Sequence, residues 1–208
     1  MMRVLSGLLV GLMLVVVAAA PGAAANKPKA SKSSTPEDSL TVLEKAVARD
    51  SSKFENLTAL GLLYLDRDRP QEAMRVLGKA SRLKPKDVRV LVNLGAAQDA
   101  AGLPAVAQQA YRQALEIAPG DSIASCRLAS SLYSQGKHEE AMDILRDTIH
   151  GSPRAYCAYF TLGVAFADAG IYRDAIRMWH KVIDVAPDSP EAVSAKESIE
   201  VLEKFVPQ

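Results

Sequence analysis

The most constraining feature of this sequence is a recurrence with a period of 34 residues. No insertion or deletion interrupts it between residues 54 and 188. A fixed period of roughly 20–50 residues is typical of chains that stack copies of one small unit, because a single unit cannot bury its apolar face alone. We therefore expect four stacked repeats that share one continuous core. The column that defines the period contains Pro85, Pro119, Pro153 and Pro187.

Within each repeat, small and bulky residues recur at positions that would face each other in a pair of helices. Small residues opposite bulky ones allow two helices to approach closely without leaving a gap. We therefore expect each repeat to be a pair of helices in direct contact. The leucines, each with the small residue after it, are Leu60 and Gly61, Leu94 and Gly95, Leu128 and Ala129, and Leu162 and Gly163. The alanines, each followed four residues later by a bulky residue, are Ala73 and Leu77, Ala107 and Tyr111, Ala141 and Leu145, and Ala175 and Trp179.

Turn and capping residues predict where these helices begin and end. The prolines fall after the second helix of each repeat, where a missing N–H costs little. We expect Asp87 and Asp121 to cap the helices that follow them, and Ser152 with Pro153 to start the first helix of the fourth repeat. The turn within each repeat is expected at Asp68, Gly102, Gly136 and Gly170. The predicted helices span 54–67, 70–83, 88–101, 104–117, 122–135, 138–150, 154–169 and 172–185.

The remaining segments divide the chain around this array. Terminal repeats expose their stacking face, so a capping helix is expected at each end. Thr35 and Ser189 precede apolar residues at helical spacing and would start these two helices. We predict a signal peptide at 1–25, a flexible linker at 26–34, an N-terminal capping helix at 35–53, four repeats at 54–87, 88–121, 122–155 and 156–188, and a C-terminal capping helix at 189–208.

The first 25 residues have the pattern of a secretory leader. Arg3 precedes a mostly apolar run from Val4 to Ala20, and small residues follow up to Ala25. This pattern predicts export with cleavage after Ala25, or after Ala20 as second choice. The protein would then be periplasmic or secreted. The alternative is an uncleaved leader that anchors the protein in a membrane, although the run is short for a span of about 20 residues.

The charge of the chain argues against nucleic acid as a partner. Removal of residues 1–25 takes away Arg3 and no acidic residue, which leaves 24 Lys+Arg against 24 Asp+Glu. A neutral chain has no excess positive field to attract a phosphate backbone or an anionic membrane surface. Membrane association is therefore expected only through an uncleaved leader.

Residues 54–188 resemble the tetratricopeptide repeat family in the Leu-Gly, Ala, bulky and Pro columns given above. The predicted leader makes the chain similar to exported, periplasmic members. The resemblance implies an all-α fold, a right-handed α-solenoid of four helix-turn-helix repeats with N- and C-terminal capping helices. It also implies that the first helices line a concave groove for a peptide or a partner domain. Departures at Ser125, Ala129 and Thr148 suggest that the third repeat packs less tightly.

Transfer of the family's groove positions to this chain gives a candidate partner-binding surface. Some family members clamp a carboxylate with Lys and Asn, but Thr58, Leu62, Val92 and Ala96 occupy those positions here. The clamp is therefore absent, and the resemblance implies an apolar surface with two arginines and one amide. The groove residues chosen are Arg89, Val92, Asn93, Ile123, Cys126, Arg127, Ser130, Tyr133, Phe160 and Val164.

The two cysteines, Cys126 and Cys157, fall on the first helices of neighbouring repeats. A disulfide between them fits an oxidising compartment. The alternative is a pair of small packing residues with free thiols, because neighbouring helix axes lie about 8–10 Å apart and a disulfide needs Cα atoms within about 7 Å.

No motif in the sequence indicates catalysis, a metal site or a cofactor. The three histidines lack the paired spacing of metal ligands, and there is no phosphate-binding loop or nucleophile elbow. We therefore expect a non-enzymatic interaction scaffold for a protein or peptide partner, with a role in assembly of a bacterial envelope, pilus or secretion complex as one context. The alternative is a structural or spacer protein that self-associates through its terminal helices. An enzyme is the least favoured class.

Overall fold

The structure is a computed structural model that describes the backbone of residues 36–206 and the side chains of residues 39–206. The predicted signal peptide, the linker and the cap at Thr35 lie outside the described residues. Between residues 36 and 206 the chain forms helices and no strands, as the all-α prediction requires. The α-helices are α1 Pro36–Arg49, α2 Phe54–Asp66, α3 Pro70–Leu83, α4 Val88–Ala100, α5 Pro104–Ile117, α6 Ser122–Ser134, α7 His138–Gly151, α8 Tyr156–Asp168, α9 Tyr172–Val185 and α10 Pro190–Leu202. A short 3-10 helix, Glu203–Phe205, follows α10.

Each 34-residue period contains one pair of helices, and the small residue of the first helix faces the bulky residue of the second. A Cβ atom added to Gly95 on α4 would lie 2.8 Å from Cδ1 of Tyr111 on α5. The same addition at Gly163 would come within 2.5 Å of Cδ1 of Trp179. Tyr111 is fully buried, so the absence of a side chain at Gly95 is what admits the ring. This confirms the expected contact between small and bulky residues.

The turn within each pair uses a left-handed backbone conformation. The φ angles of Gly102, Gly136 and Gly170 lie between 74° and 78°, a region that costs glycine little because it has no Cβ. In the first pair Asp68 adopts a φ of 53° at the same position. Aspartate tolerates this region better than most residues do, so the turn geometry is the same in all four pairs.

Two of the three predicted caps within the repeats are present. The Asp87 carboxylate accepts a hydrogen bond from the Val90 N–H at 3.1 Å, and Asp121 accepts one from Ala124 at 2.7 Å. The prediction for the fourth repeat was wrong. Ser152 ends α7, and α8 begins only at Tyr156, after an Ala155 that provides no side-chain cap.

Three clusters of buried side chains make up the core along the stack. The first lies around α2 and α3, the central one extends from α4 to α8, and the third joins α9 to α10. α1 packs Leu40, Leu43 and Val47 against the first cluster. α10 contributes Ala192 and Ala195, both fully buried, to the third. The terminal helices thus cover both ends of the described array.

Candidate partner-binding groove

The first helix of each pair has a stripe of residues along one face, which is exposed throughout on α2 and α6 and only in part on α4 and α8. On α6 the stripe is Ile123, Arg127, Ser130 and Ser134, with spacings of four, three and four residues. This spacing keeps the four side chains on one face of a helix. The corresponding residues on the other first helices are Glu55, Ala59, Leu62 and Asp66 on α2, Arg89, Asn93, Ala96 and Ala100 on α4, and Cys157, Thr161, Val164 and Asp168 on α8.

Consecutive first helices contact each other, α2 with α4, α4 with α6 and α6 with α8. Their stripes therefore join into one surface, which we call the first-helix surface. Among the residues predicted for the groove, those exposed on it are Arg89, Ile123, Arg127, Ser130 and Val164. Ile123 is 58% exposed, a large fraction for an isoleucine in a folded domain. Asn93 belongs to the same stripe but is half-buried.

Two predicted groove residues need correction. Val92 is only 6% exposed and Cys126 only 5%, so neither side chain lines an open surface. They occupy equivalent positions in successive repeats and pack in the central core cluster. Both positions lie on the side of the first helix that faces the next first helix. Residues there hold the stack together and have little area left for a ligand.

Tyr133 and Phe160 are half-buried and also contribute to helix contacts. The Tyr133 hydroxyl donates to the Ala165 carbonyl oxygen at 3.4 Å, and its ring lies 4.4 Å from the ring of His138. Burial, followed by the charge of Asp168 and a hydrogen bond to it, raises the pKa of Tyr133. The Phe160 carbonyl accepts a hydrogen bond from Trp179 Nε1 at 3.3 Å. Both aromatic residues are therefore less accessible to a partner than Ile123 or Val164.

The positive charges of the first-helix surface are two arginines on α4 and α6, whereas its acidic residues, Glu55, Asp66 and Asp168, lie on α2 and α8. Within residues 39–206, neither Arg89 nor Arg127 forms an ion pair with an acidic side chain. Each guanidinium has five N–H donors in a planar fork that fits a carboxylate. The surface can therefore accept an acidic group or backbone carbonyls of a partner without first breaking an internal ion pair.

A polar network beneath this surface was not predicted. The Asp99 carboxylate accepts hydrogen bonds from the Tyr111 hydroxyl at 2.9 Å and from the Ser131 hydroxyl at 2.8 Å. Burial, then the charge of Asp99 and this hydrogen bond, raises the pKa of Tyr111 far above its usual value, whereas Arg127 acts in the opposite direction. The network joins α4, α5 and α6. The signal in the sequence was Asp99 itself, since the other repeats have Leu65, Tyr133 and Ala167 at this position.

The structure joins Cys126 on α6 to Cys157 on α8 by a disulfide. Their Cα atoms are 6.1 Å apart, within the range of about 4.4–6.8 Å that such a bond requires. The two first helices approach closely enough for the bond because both cysteines lie where one first helix contacts the next. That the two thiols are oxidised in the protein stays a prediction.

Among the described residues, no three His, Cys, Asp or Glu side chains come together as a metal site would require. No helix between residues 36 and 206 combines the length and the apolar character needed to cross a bilayer.

A stack of helix pairs whose first helices share one exposed face is the architecture of an α-solenoid repeat protein. Tetratricopeptide repeat models match residues 58–122, 100–150 and 158–189. The chain therefore contains tetratricopeptide repeats, as the 34-residue period predicts.

Known proteins with similar sequences or structures extend this finding. The cytochrome c-type biogenesis protein CycH of Rhizobium meliloti (strain 1021) is 28% identical over 151 residues, 69% of this chain and 39% of that protein. The crystal structure of MamA has a TM-score of 0.60 at 24% identity and covers 77% of this chain and 91% of that one, a likeness of fold alone. YrrB, described as a TPR protein with an unusual peptide-binding site, has a TM-score of 0.54 at 25% identity and covers 78% of this chain and 84% of that one. The chain spans 8–39% of the length of the curated relatives that it matches.

Proposed function

We propose that this protein is an exported, non-enzymatic interaction module that binds an extended peptide or a helix of a protein partner on its first-helix surface. The observation that carries the proposal is the row of exposed residues Arg89, Ile123, Arg127, Ser130 and Val164 along α4, α6 and α8. Its two arginines form no ion pair within the described residues. Ile123 and Val164 are the apolar contacts, and Arg89 and Arg127 are the polar guides. Repeat arrays use extended surfaces of this kind to hold partners.

The comparison with YrrB supports a peptide as ligand. That protein has a peptide-binding site, and it shares the fold over most of both chains. The relation to a cytochrome c-type biogenesis protein supports a role in assembly of an envelope complex. We propose assembly of this kind as the process, with a partner of the same compartment.

Export is supported by two features of the chain. One is the leader pattern of residues 1–25. The other is the cysteine pair, because disulfides persist mainly in oxidising compartments such as the periplasm.

Mass determination of the protein recovered from its native cells would test the proposal of export. A mature chain that begins at Asn26 is expected, and a protein that retains Met1 and is found in the cytosol would contradict export.

Site-specific crosslinking tests the proposed surface. A photoreactive amino acid at Ser130, on the exposed stripe of α6, is expected to crosslink the partner in the native envelope. The same group at Gln113, exposed on the second helix α5, serves as the matched control and is expected to give no such product. Crosslinking from both positions alike, or from Gln113 alone, would contradict the assignment.

A charge reversal gives the energetic test once the partner is identified. Arg127→Glu replaces an attraction by a repulsion and is expected to weaken binding about tenfold, equal to about 1.4 kcal/mol. Arg146→Glu, on the exposed face of α7, is the control and is expected to leave the Kd unchanged. Equal affinity of Arg127→Glu and the unmodified protein, with the fold intact by circular dichroism, would reject the surface.

Self-association is the second candidate function, because the last helix exposes apolar side chains. Val193 is 53% exposed and Phe205, in the short helix that follows, is 66% exposed. Exposed apolar patches of this kind mark contacts between proteins. If a second copy covers them, Val193→Glu with Phe205→Glu will convert an oligomer into a monomer in sedimentation velocity. A protein that is monomeric with and without these changes excludes this function.

A further inference from the structure

A pocket of about 340 Å³ opens at one edge of the third repeat. It lies between the last turns of α5 and α7 and the first turn of α6. Its lining includes Leu115, Ser122, Ser125, Ile144, Asp147 and Gly151. None of the groove residues on the first-helix surface contributes to it, so it is a separate site.

The pocket exists because the third repeat has small residues at three positions where the other repeats have large ones. Leu57 and Leu91, which correspond to Ser125, are 0% and 5% exposed, so in the first two repeats this space is filled. Ser122 corresponds to Phe54, Val88 and Tyr156, Ser125 to Leu57, Leu91 and Tyr159, and Gly151 to Leu83, Ile117 and Val185. Ser125 leaves open the space that a buried leucine fills in the first two repeats, and the small residues Ser122 and Gly151 also line it.

The lining combines an apolar wall with a carboxylate that has no partner. Leu115 and Ile144 are half-buried and pack against the central core cluster. The Asp147 side chain is exposed at the mouth of the pocket and forms no ion pair or hydrogen bond with any of the described residues. The last turns of α5 and α7 add the negative ends of two helix dipoles. The amino end of α6 also reaches the pocket, but the Asp121 carboxylate caps it.

We propose that this pocket binds a small organic amine. The apolar body of the ligand packs against Leu115 and Ile144, and the protonated nitrogen lies beside Asp147. The volume is at the lower end of the roughly 300–1,000 Å³ that small-molecule sites occupy, which suits a ligand with one ring. A cation is preferred because the one charged side chain in the lining, Asp147, is negative.

Titration with 2-phenylethylamine, followed by the amide signals of the ¹⁵N-labelled protein, tests the proposal. Shifts are expected at Ser125 and Gly151 and should saturate. The matched neutral probe, 2-phenylethanol, is expected to bind at least about tenfold more weakly, and the anion 3-phenylpropanoate weaker still. Equal affinity for the amine and the alcohol would overturn the assignment of Asp147, and shifts confined to other residues would overturn the site.

Variants separate the shape of the pocket from its charge. Ser125→Leu restores the residue of the first two repeats and is expected to abolish binding, whereas Gln71→Leu, exposed on α3, is expected to leave it unchanged. Asp147→Asn keeps the shape and is expected to remove the preference for the amine over the alcohol. Asp143→Asn, on the same helix outside the pocket lining, is the charge control and should retain that preference. Unaltered amine binding by Ser125→Leu or Asp147→Asn would contradict the proposal. If Ser125→Leu fails to fold, Asp147→Asn still decides the outcome, because this substitution leaves the packing intact.

Discussion

The contact between Gly95 and Tyr111 sets how closely α4 and α5 approach. Any side chain at Gly95 would overlap a ring that is buried on all sides and cannot rotate away. Gly61 faces Leu77 in the same way, with an added Cβ 2.5 Å from its Cγ, but an aliphatic side chain adjusts more easily than a ring. In the third repeat the small residue is an alanine. Ala129 and Leu145 occupy these positions, and both are fully buried.

Two glycine substitutions test whether the ring of Tyr111 excludes a side chain at Gly95. Gly95→Ala is expected to lower the free energy of unfolding by about 1–2 kcal/mol, because overpacking costs about 1–3 kcal/mol and the better helix propensity of alanine returns part of it. Gly78→Ala, on α3, is the control: its added Cβ meets nothing nearer than 3.9 Å, so stability should rise by about 0.5–1 kcal/mol. Urea unfolding measures both changes. A loss of similar size in both variants would contradict the steric explanation.

The buried Tyr111 hydroxyl predicts a loss of stability in alkali. In the unfolded chain a tyrosine loses its proton near pH 10, whereas burial and Asp99 raise the pKa of Tyr111 in the folded protein. Above pH 10 the unfolded state therefore binds fewer protons than the folded state. The contribution of this group is complete below pH 10 and falls as the pH rises, by up to about 1.4 kcal/mol per pH unit.

Tyr111→Phe is expected to remove this alkaline slope. At pH 7 the variant should lose about 1–3 kcal/mol, since Asp99 loses one hydrogen-bond donor. Between pH 10 and 11 its stability should fall less steeply than that of the unmodified protein, in urea titrations at each pH. Parallel slopes for the two proteins would show that Tyr111 does not carry the effect.

At the scale of helices, the sequence predicted most boundaries because the period repeats the same turn chemistry. α4 and α6 begin after Asp87 and Asp121 as expected, since a carboxylate there satisfies a free N–H of the first turn. The start of α8 was missed by two residues. The Ser-Pro pair suggested an early start, but α7 continues to Gly151 and Ser152 completes its carboxyl end. The period alone would have placed the start at Tyr156, in line with Phe54 and Val88.

The candidate groove was less predictable than the helices. The sequence identified the exposed residues Arg89, Arg127 and Ser130, because a helical stripe follows from the period. It could not separate them from Val92, three positions after Arg89, and Cys126, one position before Arg127. Neighbouring residues on a helix point about 100° apart, so the rotation of each helix in the stack decides whether a side chain faces solvent or the next first helix.

The cysteine pair predicts a measurable stabilisation between α6 and α8. A bond that closes 31 residues contributes about 3–4 kcal/mol by chain entropy. The double variant Cys126→Ala with Cys157→Ala should lose about this amount, and a reductant should destabilise only the unmodified protein. Alkylation of the protein recovered from its native cells, without reductant, should label no thiol. Two labelled thiols per chain would show that the bond does not form.

At the scale of the whole molecule, stability in a stacked array comes from each unit and its contacts with immediate neighbours. Every interface repeats the same columns, so removal of one whole period rejoins matching surfaces. Deletion of residues 88–121 should therefore give a shorter helical protein that unfolds cooperatively at a lower temperature. Circular dichroism with heating measures this, and a chain without helical signal would contradict it.

The disulfide between α6 and α8 also affects where the repeat array can bend. When the disulfide is formed, it restricts movement between α6 and α8. The contacts between α2 and α4 and between α4 and α6 have no such crosslink. We therefore predict that a change of curvature on binding a partner would occur mainly in the amino-terminal half of the array.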